Sequence, residues 1–227
     1  MTPDIEVVRH ARARRMRLAV DPRDGKVRLT LPPRASLKKG LAWAEAQRAW
    51  IAAQQARLPG SLPLIPGARF PFAGRDIAIM HDLSATRTPR LDNDLLVCGG
   101  PREGLERRVE RWLRAEALRV LSAETAEYAE RAGVSVTRVS IGDPRGRWGS
   151  CASSGAIRYS WRLILAPDHV RRATVAHEVA HRIHMNHSPA FHRLVETLFE
   201  TDPTPARHWL RRNGAALHWV GREAPAP

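Results

Sequence analysis

The chain has 227 residues, of which 43% are hydrophobic and 26% are charged, a balance typical of a globular protein with its own hydrophobic core. Its two cysteines, Cys98 and Cys151, are too few for a disulfide framework. The sequence has no run of about 18 apolar residues that could cross a membrane, and its start lacks the apolar core of a secretory signal. We therefore expect a cytoplasmic protein without a membrane span.

The formal net charge is +14, and only three of the 37 basic residues are lysines. A strong preference for arginine also follows from a genome rich in G and C, so the charge alone does not establish a function. A surface this basic nevertheless attracts polyanions. Nucleic acid, nucleotides and acidic protein segments are therefore the partners that the charge indicates.

Short β-prone runs and one helix are expected in the first hundred residues. The turn Asp21–Gly25 predicts a hairpin between two of these runs, and Ser36 is a suitable N-cap for a helix over residues 37–57. The β-prone runs occupy residues 5–9, 15–20, 27–31, 69–72, 76–80 and 95–98. Because Gly99-Gly100-Pro101 favours a boundary, we predict a β-rich N-terminal region over residues 1–100.

Helical periodicity begins after this boundary. Apolar residues at helical spacing predict a long helix over residues 102–131, which Gly133 ends. Strands are predicted over residues 134–141 and 157–165. The loop between them is rich in glycine and arginine and could cradle a phosphate, although its spacing is not that of a known phosphate-binding motif.

The next segment carries an H-E-x-x-H pattern, formed by His177, Glu178 and His181. Apolar residues recur at helical spacing around it, and a helix places side chains four residues apart on one face. Two neutral imidazoles on one face suit a zinc ion, which favours nitrogen ligands and, in catalytic sites, keeps one position open for water. A carboxylate beside that position can accept a proton from the water.

A third protein ligand is needed, and His184, His187 and His192 are the candidates. His184 lies too far along a straight helix from His177, at ~1.5 Å of rise per residue. Asn186 is suited to ending a helix, and Ser188-Pro189 to starting the next one. His187 therefore lies in a turn from which it can fold back toward the metal, and it is the preferred candidate over His192 and His184.

These residues carry a resemblance to a known family. The run R-W-G-S-C at residues 147–151, W-R-L-I-L-A-P at residues 161–167, the H-E-x-x-H pattern and H-M-N-H-S-P-x-F at residues 184–191 resemble the YgjP-like metallopeptidases, which are relatives of the SprT-like zinc proteases. The resemblance is densest over residues 140–195. The chain departs from the family pattern at Ser160, where the family usually has Asn, and at His192, where it usually has Trp.

The resemblance implies that His177, His181 and His187 bind the metal and that Glu178 is the catalytic base. It also implies a zincin-like unit over residues 101–221, with a long helix, a short sheet and the helix that carries the metal ligands. The fold class expected for the whole chain is thus α+β. The tail at residues 222–227 is expected to fray.

Three functions are compatible with these observations. The first is a zinc-dependent metallopeptidase, in which one Zn²⁺ and Glu178 activate a water molecule that attacks a peptide bond. The second is a metal-dependent phosphohydrolase that cleaves nucleotides, which the arginine-rich loop favours. The third is a non-catalytic protein in which zinc stabilises the fold and the basic surface binds nucleic acid.

Overall fold

A computed structural model describes residues 5–222 of the chain. The predicted frayed tail therefore lies outside the described residues, apart from Arg222. The chain divides into two compact units between Gly60 and Ser61. No helix in the described part is both long and apolar enough to cross a lipid bilayer. The fold is α+β, with a β-rich N-terminal region, as the sequence predicts.

The first unit is a small sheet with two helices. Strand β3 pairs in parallel with β1 and in antiparallel with β2, so the predicted hairpin is present. The Ser36 hydroxyl accepts a hydrogen bond from the amide of Lys39, as expected of an N-cap. The predicted single helix is instead two helices that meet at Gln47. The elements are β1 (Ile5–Arg9), β2 (Arg17–Val20), β3 (Val27–Leu31), α1 (Leu37–Ala46) and α2 (Arg48–Gln55).

Over residues 61–222, the second unit contains two sheets and four α-helices. A four-stranded sheet has the order β4-β5-β7-β6, and a three-stranded sheet has the order β8-β10-β9. Its elements are β4 (Arg69–Phe72), β5 (Arg75–His81), β6 (Arg90–Asp92), β7 (Leu95–Cys98), α3 (Leu105–Ala132), β8 (Arg138–Gly142), β9 (Gly149–Cys151), β10 (Ala156–Ser160), α4 (Asp168–Ala180), α5 (Pro189–Phe199) and α6 (Thr204–Leu217).

One hydrophobic core joins the four-stranded sheet to helix α3. Phe70 and Leu96 from the sheet belong to the same buried cluster as Leu113 and Leu121 from α3. The apolar face of a sheet must be buried against another element, and α3 is among the elements that share this core. The domain boundary expected at residues 100 and 101 therefore lies inside a continuous core, and the compact units divide forty residues earlier.

The segment that leads into helix α4 differs from the prediction. Strand β10 ends at Ser160, and Trp161–Leu165 is a buried 3-10 helix, not the second half of a strand. The Ser160 hydroxyl accepts a hydrogen bond from the Arg162 amide. The buried Arg162 guanidinium also donates to both oxygens of Asp143, at 2.8 and 3.0 Å. These contacts turn the chain out of the sheet and into α4.

The Asp143–Arg162 pair makes stability depend on pH. Burial alone would raise the pKa of Asp143, but the hydrogen bonds and charge of Arg162, together with the charges of His218 and Arg114, bring it below its usual value. Its contribution is therefore present above about pH 4 and is lost as the pH falls through the lowered pKa. Thermal unfolding should show Asp143→Asn less stable than the wild type at pH 7, with the difference shrinking below pH 4. If the difference in stability between Asp143→Asn and the wild type stayed the same below pH 4, the ionised Asp143 carboxylate would not be the source of the pH dependence.

A buried ion pair connects helix α4 to helix α3. The Arg171 guanidinium donates to both carboxylate oxygens of Glu124, and the two side chains are 6% and 9% exposed. Removal of Arg171 leaves the buried Glu124 carboxylate with only a longer ion pair, to Arg172 at 3.9 Å. We expect Arg171→Met to lower the free energy of unfolding by about 3 to 5 kcal/mol, measured by urea denaturation. The double variant Arg171→Met/Glu124→Leu should recover most of this loss. If the double variant were as unstable as Arg171→Met alone, the unpaired Glu124 carboxylate would not be the cause of the loss.

Candidate metal centre

Three imidazoles converge at the end of helix α4. His177 lies in the last turn of α4, His181 directly follows the last helical residue, and His187 lies in the turn before α5. One nitrogen from each ring can be chosen so that all three lie within 4.8 Å of one another, and Nε2 of His177 lies 3.2 Å from Nε2 of His187. The turn brings His187 back because Ser188 caps α5, its hydroxyl accepting from the Phe191 amide.

Phe191 is the apolar support of this cluster. Its fully buried ring lies 4.9, 4.5 and 4.8 Å from the ring centroids of His177, His181 and His187, respectively. A single residue in the first turn of α5 therefore contacts all three imidazoles. Because the ring fills the space on one side of the cluster, it restricts the orientation of each imidazole.

The hydrogen bonding of His181 determines which of its nitrogens is free. Its Nδ1 lies 2.9 Å from the carbonyl oxygen of His184. A carbonyl only accepts, so Nδ1 carries the proton and Nε2 keeps its lone pair. Ligating histidines usually donate their second nitrogen to such an oxygen, which fixes the tautomer.

The charge state of the cluster also fits a metal site. Burial, followed by the nearby His181 and His187 rings, lowers the pKa of His177 to about 4. Burial and the neighbouring rings likewise lower the pKa of His187. Near pH 7 these rings are therefore neutral and present lone pairs to one another, an arrangement that a shared cation stabilises. The three residues fit a divalent metal ion.

The other candidate ligands lie outside the cluster. The ring centroid of His192 is 6.3 Å from that of His187. His184 contributes its backbone carbonyl and belongs to no described group of metal-binding side chains. In residues 5–222 the cluster of potential ligands at this position contains His177, His181 and His187.

Glu178 occupies a buried position beside the imidazoles. The residue is 5% exposed, and no described residue donates a hydrogen bond to its carboxylate. Burial raises the pKa of Glu178 to about 7, while the charge of Arg147 acts in the opposite direction. His177 and Glu178 line the same cavity, which has a volume of about 260 Å³. The carboxylate can therefore meet a molecule that enters this cavity.

Gly149 on strand β9 makes room for Glu178. A Cβ atom at position 149 would lie 2.5 Å from Oε1 and 2.6 Å from Cγ of Glu178. In the sequence, Gly149 belongs to the loop that could cradle a phosphate, and its contact with Glu178 is not predicted. A glycine in a short strand signals that another group approaches the backbone closely, and this signal could have identified it.

Replacement of Gly149 tests this contact. Gly149→Ala should displace the Glu178 side chain, because Cγ as well as the carboxylate is too close to the new methyl group. A misplacement of about 1 Å costs about 100-fold in rate, so we expect a loss of activity of that order with unchanged metal content. Activity assays and metal analysis would measure both. Gly146→Ala is the matched control, since a Cβ at Gly146 meets no atom within 4 Å. Equal activities of the two variants would contradict the contact.

A family model shows which proteins the chain resembles. The model of the YgjP-like metallopeptidase domain matches residues 14–213. No curated protein and no solved structure has a significant match to the chain. The matched region contains the three converging histidines and Glu178, and such a domain implies a metal cofactor. Because the match spans most of the sequence, the chain belongs to the YgjP-like metallopeptidase family.

Proposed function

We propose that the protein is a zinc-dependent peptidase in which His177, His181 and His187 hold the ion. The observation that carries this proposal is the convergence of three imidazoles beside a buried carboxylate that borders a cavity. Three protein ligands are the number found in catalytic zinc sites, which keep a further position for water or substrate. A bound zinc ion would supply Lewis acidity, which lowers the pKa of a water molecule and polarises the scissile carbonyl.

Glu178 moves the proton in this reaction. Its carboxylate accepts a proton from the attacking water, whose oxygen forms a bond to the carbonyl carbon of the substrate. Glu178 then delivers the proton to the amide nitrogen as the carbon–nitrogen bond breaks. The carboxylate is free for this role because no described residue occupies it with a hydrogen bond, and Gly149 lets it lie close to strand β9.

Strand β9 offers a place for the substrate backbone. It pairs with β10 on one side and is one of the two edge strands of its sheet in the described residues. Gly149 of this strand lies against Glu178. An extended peptide can add to the edge of a sheet through main-chain hydrogen bonds. A peptide bound along β9 would thus lie next to the carboxylate.

A second candidate function is hydrolysis of a nucleotide phosphate ester. Arg147 and Arg207 line the same cavity as His177 and Glu178. Phosphoryl transfer requires positive groups around the charge that spreads over the phosphate oxygens. The two guanidiniums could supply that charge, and this arrangement is the observation that favours the alternative.

A side-by-side substrate screen separates these functions. The purified, zinc-loaded protein would be assayed with a peptide library and casein, and in parallel for phosphate and pyrophosphate release from nucleoside triphosphates. We expect peptide cleavage that falls by a factor of about 100 to 10,000 in Glu178→Gln. Phosphate release without peptide cleavage would contradict the peptidase. Turnover of neither substrate, with nucleic-acid binding that survives Glu178→Gln, would instead favour the non-catalytic alternative.

A further inference from the structure

The cavity beside Glu178 has walls of apolar side chains, and we refer to it as the side-chain pocket. Trp148, Val195, Ala206 and Leu210 line it. The Trp148 wall is fixed, because a Cβ at Gly214 would lie 2.6 Å from the indole, which shows that the ring packs directly on helix α6. An apolar pocket of about 260 Å³ has room for an apolar side chain of a substrate.

Two guanidiniums line the same pocket. Arg147 belongs to the loop before β9, and Arg207 lies in the first turn of α6. Both line the cavity together with His177 and Glu178, so both lie close to the metal centre. Neither forms an ion pair with a carboxylate in the described part of the chain, although Arg207 donates to the Thr204 hydroxyl at 2.9 Å. Both residues are exposed and accessible to a ligand.

An apolar wall beside two exposed guanidiniums that form no ion pair in the described part of the chain indicates a ligand that is apolar in one part and anionic in the adjacent part. Guanidinium groups bind carboxylates through charge-assisted hydrogen bonds, which are stronger than those between neutral groups. In a peptide this chemistry has two sources. One is a C-terminal apolar residue with its terminal carboxylate, and the other is an apolar residue followed by Asp or Glu.

We propose that the side-chain pocket selects substrates in which an apolar side chain lies next to a carboxylate, with Arg147 and Arg207 binding that carboxylate. The inference rests on the proposed peptidase function and defines the substrate class of the same site. The apolar side chain enters between Trp148 and Leu210, and the carboxylate remains at the guanidiniums. Arg147 and Arg207 are thus specificity-determining residues.

Ligand binding tests the proposal without requiring turnover. Isothermal titration calorimetry would compare N-acetyl-leucine, its C-terminal amide and N-acetylglycine on the purified protein. We expect N-acetyl-leucine to bind about tenfold more tightly than either of the other two. Arg147→Ala and Arg207→Ala should each reduce the preference over the amide to about twofold. Arg211→Ala removes the same charge from the same helix without lining the pocket, and it should keep the full preference.

A further probe identifies the source of the carboxylate. In N-acetyl-Leu-Glu amide the only carboxylate is that of the Glu side chain. Tight binding of this probe would show that the pocket accepts an apolar residue followed by Asp or Glu. Tight binding of N-acetyl-leucine alone would show that it accepts a C-terminal apolar residue with its terminal carboxylate. Equal affinities for N-acetyl-leucine and its amide would overturn the proposal. A preference for N-acetyl-leucine over the amide that survives in both arginine variants would also overturn it, because the carboxylate would then bind at the imidazoles. Tighter, arginine-dependent binding of adenosine monophosphate would also overturn it and favour a nucleotide. A protein that binds these probes but cleaves no peptide would refute only the peptidase function.

Discussion

Glu178→Gln is expected to lower peptide hydrolysis by a factor of about 100 to 10,000 and to leave the metal content unchanged. Glutamine has nearly the same shape as glutamate, so its side chain fits against Gly149 without a new contact. The amide cannot accept a proton from water, and therefore the step that Glu178 performs is lost. The rate of peptide cleavage under saturating substrate, together with metal analysis of both proteins, measures the effect.

Glu196→Gln is the matched control for this variant. Glu196 lies on helix α5, which begins next to the metal centre, but it is exposed and does not line the side-chain pocket. The control should cleave peptides at the wild-type rate. Near-normal activity of Glu178→Gln would rule out the role of Glu178 as the base. Loss of metal in Glu178→Gln would show that the carboxylate has a structural role at the site.

His177→Ala is expected to weaken zinc binding by about 100-fold or more and to abolish activity. Removal of a hydrogen-bonded neighbour of a ligand already costs 10- to 100-fold in affinity, and loss of the ligand itself should cost at least as much. Metal analysis after dialysis would give about one zinc ion per wild-type chain and almost none per variant chain. The thermal stabilisation that added zinc gives the wild type should also be absent.

Two histidine variants serve as controls for this experiment. His192→Ala should keep its metal, because the His192 ring lies outside the converging cluster. His184→Ala should also keep it, because His184 contributes a backbone carbonyl that alanine retains. A metal content that falls in His192→Ala and remains in His187→Ala would mean that the third ligand has been assigned to the wrong histidine.

Local chain geometry explains why the candidate ligands could be predicted from the sequence. The spacing of His177 and His181 specifies one helix face, and the N-cap and proline at Ser188-Pro189 specify where the next helix begins. Together these features place His187 in a turn next to the first two histidines. Each feature depends on residues close in the chain, and the structure brings the three rings together.

The surroundings of the cluster depend on packing between distant elements and could not be predicted in the same way. Gly149 meets Glu178 only because strand β9 lies against helix α4, and Arg207 reaches the pocket only because α6 packs nearby. The glycine at position 149 signals only that some group approaches the backbone closely, and the residues around Arg207 do not indicate the pocket. Likewise, the apolar run after Ser160 is compatible with a strand, but in the structure it is a 3-10 helix whose Arg162 side chain contacts the distant Asp143.

The position of the domain boundary also depends on packing between distant elements. Gly99-Gly100-Pro101 has the composition of a linker, but the sheet before it and helix α3 after it bury their apolar faces in one core. A turn inside a shared core and a linker between domains have the same local sequence requirements. The difference lies in which surfaces meet, and residue patterns do not contain that information.

X-ray absorption spectroscopy at the zinc edge of the purified, zinc-loaded protein tests the metal centre most directly. We expect a shell of nitrogen and oxygen atoms at ~2.0 to 2.1 Å that includes three imidazoles and has no sulfur contribution. His187→Ala should reduce the imidazole count by one. A sulfur shell at ~2.3 Å, or an imidazole count that is the same in the wild type and in His187→Ala, would contradict the assignment of the three histidines.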